Sequence, residues 1–318
     1  MKKYRASGRV PLVGLIAMLL GTIIASLVVG GLAFAVSHLI YLIVFFSLIM
    51  GFIGGGILAW AVRRGKVRSP ILAGLFGLIM GLGIIGTVHF LDYYITDRND
   101  YREVVYGKSA QNVSQEQVDK DMNDFLMEQT GSTGFIGDLK FNASRGMTIT
   151  PTSPSGGSNM DLDEKGTVIY WSIELLAVAL ICAGLGFAAA RQPFNEEADE
   201  WYPVPRYVGR ADWKSRKDFY KLLKSGDVNG AFKMVNNAPN NGNRVDVVAQ
   251  YTPSVPQSDV IVTIKETRVN RRRRQTSATK MRGVLSTQEF NDLVRMVSGT
   301  QTAQSSVVQF SGAGGSLE

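Results

Sequence analysis

Four long apolar stretches limit what this chain can fold into more than any other feature of its sequence. They cover about residues 11–36, 40–62, 71–93 and 168–190. A helix of about 20 apolar residues crosses the hydrocarbon core of a bilayer, so each stretch is long enough to span it. The first is too long for the apolar part of a signal peptide, and the second follows at once, which predicts an uncleaved first helix. The sequence therefore predicts an α-helical integral membrane protein with a four-helix transmembrane bundle.

Basic residues predict how these helices cross the membrane. They precede the first stretch and fill the turn between the second and the third (Lys2, Lys3, Arg5, Arg9, Arg63, Arg64, Lys66 and Arg68). Residues 96–167 carry 12 acidic and 7 basic side chains, whereas residues 191–318 carry 19 basic and 13 acidic ones. Because Lys and Arg are enriched in cytoplasmic loops, we expect a multi-pass protein of a cellular membrane with both termini in the cytoplasm.

The part of the chain before the fourth helix divides into two segments. Residues 1–95 hold transmembrane helices 1–3, and residues 96–167 form an extracytoplasmic, partly helical insert. In that insert, Ser114 and Gln117 have the spacing of a capping box and predict one amphipathic helix over about residues 115–129. The Gly-, Ser- and Thr-rich sequence that follows predicts loop structure and allows one short strand.

The part of the chain from the fourth helix onward divides into four segments. Residues 168–190 are transmembrane helix 4, residues 191–209 a juxtamembrane linker, residues 210–298 a cytoplasmic α+β domain and residues 299–318 a disordered tail. In the domain, we predict a helical hairpin that begins at Asp212, three strands of a small antiparallel sheet and a last helix. Ser286 and Glu289 have the capping-box spacing for the start of that helix.

Known catalytic and cofactor motifs do not occur in the sequence. The chain contains no phosphate-binding loop, zinc-protease helix, nucleophile elbow or kinase signature. Its one cysteine, Cys182, allows neither an intrachain disulfide nor a zinc cluster of cysteines. Asn195 and Ala198 have the spacing of a C-x-x-C pair, but neither offers a thiolate. We therefore expect no cofactor and lean away from an enzyme.

Four consecutive arginines, Arg271 to Arg274, are the strongest basic feature. Strands are predicted on both sides, so the simplest interpretation is a hairpin tip in water. Anionic lipid headgroups at the cytoplasmic face are the second interpretation. The sequence argues against nucleic acid as a partner, because no aromatic residues are interleaved with the basic run and no RNA- or DNA-binding motif occurs.

Small residues recur inside the apolar stretches at a spacing of four. Gly51 and Gly55 lie in the second stretch, and Gly77 and Gly81 in the third. Small residues at this spacing let helix backbones approach closely, which predicts tight packing within the bundle or against a second copy. Glycine hinges of a transport cycle are the alternative.

Polar residues cluster at the predicted outer ends of the helices. His38, His89, Asp92 and Glu174 could form a rim site for protons or for a metal, since imidazoles and carboxylates suit zinc. The simpler interpretation is a set of interfacial side chains, with Glu174 close to the surface and either paired with His89 or hydrated.

These patterns predict a non-enzymatic polytopic membrane protein, a scaffold, adaptor or sensor that anchors a small cytoplasmic interaction domain. Its expected partners are the lipid bilayer and a protein partner or a second copy of the chain. A small transporter or channel that uses the rim cluster is the alternative, and a membrane-embedded metal enzyme is a weaker third.

Overall fold

The computed structural model describes residues 1–37, 43–149, 160–236, 242–270, 272 and 274–299, with the backbone alone at residues 43–45, 149, 298 and 299. The chain divides into two compact units. The helical unit is Ala6–Gln192, and the sheet unit is Met1–Arg5 together with Pro193–Glu318. His38, Arg271, Arg273 and the predicted tail from residue 300 lie outside the described residues.

The helices and strands have the following bounds. The helices are α1 (Leu12–Ser37), α2 (Ile43–Arg64), α3 (Pro70–Leu91), α4 (Arg98–Tyr106), α5 (Gln115–Thr130), α6 (Gly134–Arg145), α7 (Glu164–Ala190), α8 (Arg216–Ser225), α9 (Val228–Phe232) and α10 (Thr287–Gly299). The strands are β1 (Lys2–Lys3), β2 (Met147–Ile149), β3 (Met160–Leu162), β4 (Phe194–Asn195), β5 (Glu200–Trp201), β6 (Arg206–Asp212), β7 (Val235–Asn236), β8 (Arg244–Gln250), β9 (Val260–Val269) and β10 (Gln275–Leu285). A π-helical turn, Asp92–Asp97, joins α3 to α4, and a 3-10 turn, Gly107–Asn112, follows α4.

Four helices among the described residues are long and apolar enough to cross a membrane, as predicted. They are α1, α2, α7 and the continuous helix that begins with α3 and ends at Asn112. That third helix extends well beyond residue 93, where its apolar stretch ends. Between Gly86 and Gly107 no Gly or Pro interrupts it, and Gly107, with a φ of +50°, marks the end of α4.

Close packing around α7 holds the helical unit together. Helix α7 packs against both α2 and α3, and α1 packs against α3. A Cβ atom built on any of the four predicted packing glycines would lie within 3.0 Å of an atom of α7 (Gly51, Gly55, Gly77 and Gly81). For Gly81 that atom is the Cα of Ala179, at 2.3 Å, so α3 and α7 touch through their backbones.

The insert contains more helix than the sequence indicates. Helix α5 follows the predicted pattern: the Ser114 hydroxyl accepts a hydrogen bond from the backbone N–H of Gln117, at 3.2 Å. Helix α6, however, occupies a segment predicted to be loop. Its glycines are not helix breakers there, because Gly137 instead allows a close approach: a Cβ atom would lie 2.3 Å from the carbonyl oxygen of Ser132. Gly146, with a φ of +72°, ends the helix.

The sheet unit is built on a six-stranded antiparallel sheet in the order β1-β10-β9-β8-β6-β7. Alternate residues of its central strands share one core with α8, α9 and α10 (Val245, Val247, Val262, Ile264, Phe219, Phe232 and Leu293). The predicted cap of α10 is present, since Ser286 and Glu289 exchange hydrogen bonds. Asp212, predicted to begin a helix, instead ends β6, and α8 begins at Arg216.

The segment predicted to be a juxtamembrane linker is folded. It contains the β4–β5 hairpin and the start of β6. Asn195 is 3% exposed, and its amide donates to the hydroxyls of Thr252 and Ser258, each at 2.9 Å. Its side-chain oxygen accepts from the backbone N–H groups of Glu197 and Ala198. A fully satisfied, buried amide thus stabilises a compact turn in a sequence whose prolines and acids suggest an extended chain.

Candidate functional site

The helical unit contains a cavity of about 740 Å³. It is lined by residues of α1, α2, α3 and α7, by the π-helical turn, by α6 and by the two residues that follow α6. Three predicted rim residues, His89, Asp92 and Glu174, line this cavity. The fourth, His38, lies outside the described residues. The fold therefore brings residues of the candidate spanning helices and of the insert to one partly open cavity.

Hydroxyl groups hold the Glu174 carboxylate in this cavity. Its Oε1 accepts hydrogen bonds from Ser47 Oγ at 2.7 Å and from the hydroxyl of Tyr170 at 2.8 Å. Within the described part of the chain, no lysine, arginine or histidine pairs with it. Pairing with His89, one of the two alternatives considered for Glu174, is not among these contacts. The His89 ring instead packs edge-on against Trp171, with the ring centroids 5.0 Å apart.

Glu174 also lies further along its helix than its apolar stretch suggests. Helix α7 begins at Glu164, one turn before residue 168, because Asp163 caps it by accepting a hydrogen bond from the N–H of Gly166 at 2.8 Å. At a rise of about 1.5 Å per residue, Glu174 is roughly 15 Å from the start of the helix. The added turn is polar and contains Glu164 and Lys165, so the position of Glu174 near the outer end of the apolar stretch stays a prediction.

A pair of carboxyl groups forms another part of the cavity wall. Asp97 ends the π-helical turn and Asp138 lies on α6, and the side-chain amide of Asn142 donates to both, at 3.2 and 3.1 Å. Asp138 is 3% exposed. Burial, followed by the neighbouring carboxylate of Asp97, raises the pKa of Asp138 to about 7. Near neutral pH the pair therefore gains or loses a proton.

The charged lining of the cavity is mainly acidic. Its ionisable lining residues are Arg145, His89 and four carboxyl groups (Asp92, Asp97, Asp138 and Glu174). Apolar side chains, including Phe46, Met50 and Trp171, provide the remaining wall. Acidic groups beside an aromatic ring can bind a small cation or an amine. No three His, Cys, Asp or Glu side chains among the described residues are arranged to hold a metal ion.

The predicted basic run lies in the sheet unit. Arg272 and Arg274 are exposed in the turn that joins β9 to β10. The side-chain oxygen of Asn270 accepts from the backbone N–H groups of both, at 3.0 and 2.9 Å. The described arginines thus occupy a hairpin tip, the position expected from the flanking strand patterns.

Several cavity residues were not identified from the sequence. These are the hydroxyl donors to Glu174 and the groups around the carboxyl pair (Ser47, Tyr170, Asp97, Asp138 and Asn142). One signal was available: Asp138, Asn142 and Arg145 recur at the spacing of one helical face. It was missed because the segment that carries them was predicted to be loop.

Comparison with known proteins gives no relative from which to transfer a function. No protein-family model, no curated protein and no solved structure matches this chain.

Proposed function

We propose that this chain is a non-enzymatic multi-pass membrane protein that senses a small ligand. Its four-helix bundle anchors the sheet unit as an interaction domain in the cytoplasm, where the unit acts through contacts with a protein partner or a second copy. The cavity carries this proposal, because its wall combines residues of all four candidate spanning helices with residues of the insert. A ligand that contacts both would couple the position of the insert to that of the helices.

The pairing of the first and last parts of the chain supports the topology. Strand β1 precedes the first candidate span, and it pairs with β10, which follows the fourth, through Lys2 with Val284 and Lys3 with Gly283. Strands of one sheet must lie on the same side of a membrane. The chain must therefore cross the membrane an even number of times between β1 and β10, in agreement with four spans. The basic flanks favour the cytoplasm as that side, with the insert outside.

A small transporter is the second candidate, and one observation favours it. Glu174 lies within a candidate span and has hydroxyl donors but no basic partner among the described residues. Carboxylates inside spanning helices often belong to proton or ion pathways. In that case Glu174 would bind the transported cation or the coupled proton.

Two measurements distinguish the sensor from the transporter: the thermal stability of the protein with added amine, and the flux of that amine into proteoliposomes. The purified full chain would be unfolded by heat with and without small amines, with choline and putrescine as the probes. A ligand that binds only the folded state stabilises it by RT ln(1 + [L]/Kd), so the unfolding temperature rises with ligand concentration. We expect at least one amine to stabilise the wild type and not Glu174→Gln, with no flux of that amine into proteoliposomes.

The control is Ser172→Ala, because the Ser172 hydroxyl is exposed and bonds only the carbonyl of Val168 in its own helix. This variant should respond to the amine as the wild type does. Flux that is lost in Glu174→Gln would favour the transporter instead. An unfolding temperature that neither amine changes would contradict binding of a small amine in the cavity.

A further inference from the structure

One face of α8 carries a row of unpaired positive charges. Lys217, Lys221 and Lys224 recur at the spacing of one helical face, and Lys214 precedes them in the adjoining turn. All four are exposed, and none forms an ion pair with a described residue. We call these four side chains the lysine face. Four unpaired cations close together favour an anionic partner.

An aromatic ring lies beside this face. Trp213 is half-buried, with the guanidinium of Arg216 4.3 Å from its ring centroid and that of Arg268 5.4 Å away. The Arg268 side chain is 66% exposed. Tryptophan and basic side chains are the residues that membrane proteins concentrate at the headgroup level of a bilayer. This composition distinguishes the surface from an ordinary solvated lysine helix.

The other side of α8 is not available for insertion into a membrane. Phe219 is fully buried and Leu223 is 4% exposed, and both belong to the core of the sheet unit. Helix α8 therefore does not offer the free apolar face of a helix that lies within the bilayer interface. Any membrane contact at this surface is made with headgroups and is electrostatic.

We propose that the lysine face binds the anionic headgroups of the membrane that the four spans cross. The proposal rests on the cytoplasmic location of the sheet unit, since the cytoplasmic leaflet carries the negative surface potential. The sheet unit begins at Pro193, three residues after α7 ends, so chain connectivity gives it a high effective concentration near headgroups. This connectivity favours lipid over a diffusing nucleic acid or acidic protein.

Amine footprinting of the full chain in nanodiscs tests this assignment. The rate at which each lysine reacts with an acetylating reagent would be measured in discs of phosphatidylcholine alone and in discs that also contain phosphatidylglycerol. We expect the anionic lipid to slow the reaction of the lysine face by about threefold or more at low salt, and high salt to remove the effect. Lys108 and Lys120, exposed in the insert, are reference lysines in the same molecule.

A charge-reversal variant tests cooperation within the face. In Lys217→Glu with Lys221→Glu, Lys214 and Lys224 should lose the protection that the anionic lipid gives. The matched control, Lys108→Glu with Lys120→Glu, changes the net charge equally and should leave that protection intact. Comparable thermal unfolding of both variants would establish that they fold.

Two results would overturn the proposal. The first is equal labelling of the lysine face in neutral and anionic discs, or slowing that is the same at the reference lysines. The second is protection in neutral discs by added RNA or an acidic peptide but not by anionic lipid. Neither result concerns ligand binding in the cavity. Failure of the lipid proposal is therefore distinguishable from failure of the proposed sensor function. A separate topology measurement would reveal a sheet unit on the opposite side.

Discussion

At the scale of single residues, the cavity depends on how its carboxyl groups are satisfied. Glu174 accepts two hydroxyl hydrogen bonds, whereas Asp138 and Asp97 share one amide donor. A carboxylate among apolar helices is costly unless donors, a cation or a proton compensate it. Hydroxyl donors compensate the cost of the Glu174 carboxylate, and a proton bound near neutral pH lowers the cost of the carboxyl pair. These differences lead to different predictions for the two groups.

We expect Glu174→Gln to change the free energy of unfolding by less than about 0.5 kcal/mol, because the amide oxygen of Gln can accept both hydroxyl bonds. Glu174→Ala removes the acceptor from Ser47 and Tyr170 and should cost about 1–3 kcal/mol. Thermal unfolding in detergent measures both, with Ser172→Ala as the neutral control. A Gln variant as unstable as the Ala variant would mean that the negative charge itself is required, as it is for a bound cation.

The carboxyl pair should make the stability of the helical unit depend on pH. The pKa of Asp138 is raised to about 7 in the folded chain from an ordinary value of 3.8, so the folded state binds more protons between these values. Its contribution to stability is therefore fully present below about pH 4 and is lost as the pH rises through 7. Asp92, Asp97 and Arg145 line the same cavity and contribute to the measured profile.

Asp138→Asn should flatten this part of the pH profile, because Asn does not titrate. Unfolding temperatures of the full chain between pH 4 and 8 measure the change. Asp124→Asn is the control, since Asp124 is exposed on α5. A profile in Asp138→Asn that matches that of the wild type would assign the pH dependence to other groups.

At the scale of elements, α7 is the helix around which the bundle is built. Glycines of α2 and α3 contact it from two sides, and the same helix carries Glu174 and Trp171 to the cavity. Because backbones in contact leave little room for adjustment, the position of the cavity wall follows from the glycine contacts. Changes at those glycines should therefore alter the stability of the whole helical unit.

Gly81→Ala tests this packing. We expect it to lower the free energy of unfolding by about 1–3 kcal/mol, because the added Cβ would overlap the backbone of α7 at Ala179. Gly86→Ala, on the same helix, is the control, since a Cβ there meets no atom within 4 Å. It should be neutral or slightly stabilising. Equal effects of the two changes in thermal unfolding would rule out the backbone contact as the cause.

Elements specified by local patterns were predictable from the sequence, and those specified by distant contacts were not. The four spans follow from apolar length, and the caps of α5 and α10 follow from pairs three residues apart. Helix α6 was missed because Gly137 resembles a helix breaker until its close approach to Ser132 is known. The carboxyl pair depends in turn on α6. The two-residue strand β1 carries no local signal, because it exists only through β10.

At the scale of the whole molecule, one sheet contains residues from before the first candidate span and after the fourth. Paired strands lie on one side of any membrane that the helices cross, so β1 and β10 share a side. The acidic insert, with α5 and α6, belongs to the opposite side if there are four crossings. The proposed sensor requires this arrangement, since the cavity must receive its ligand from the side opposite the sheet unit.

Site-specific labelling of the topology tests this account most directly. Gln111→Cys and Ser225→Cys, each exposed, would be introduced singly into Cys182→Ala, and intact membranes would be treated with an impermeant maleimide. The account predicts that position 111 reacts from the outside and that position 225 reacts only after permeabilisation. Reaction of both positions from the same side, or of position 111 from the cytoplasmic side alone, would contradict it.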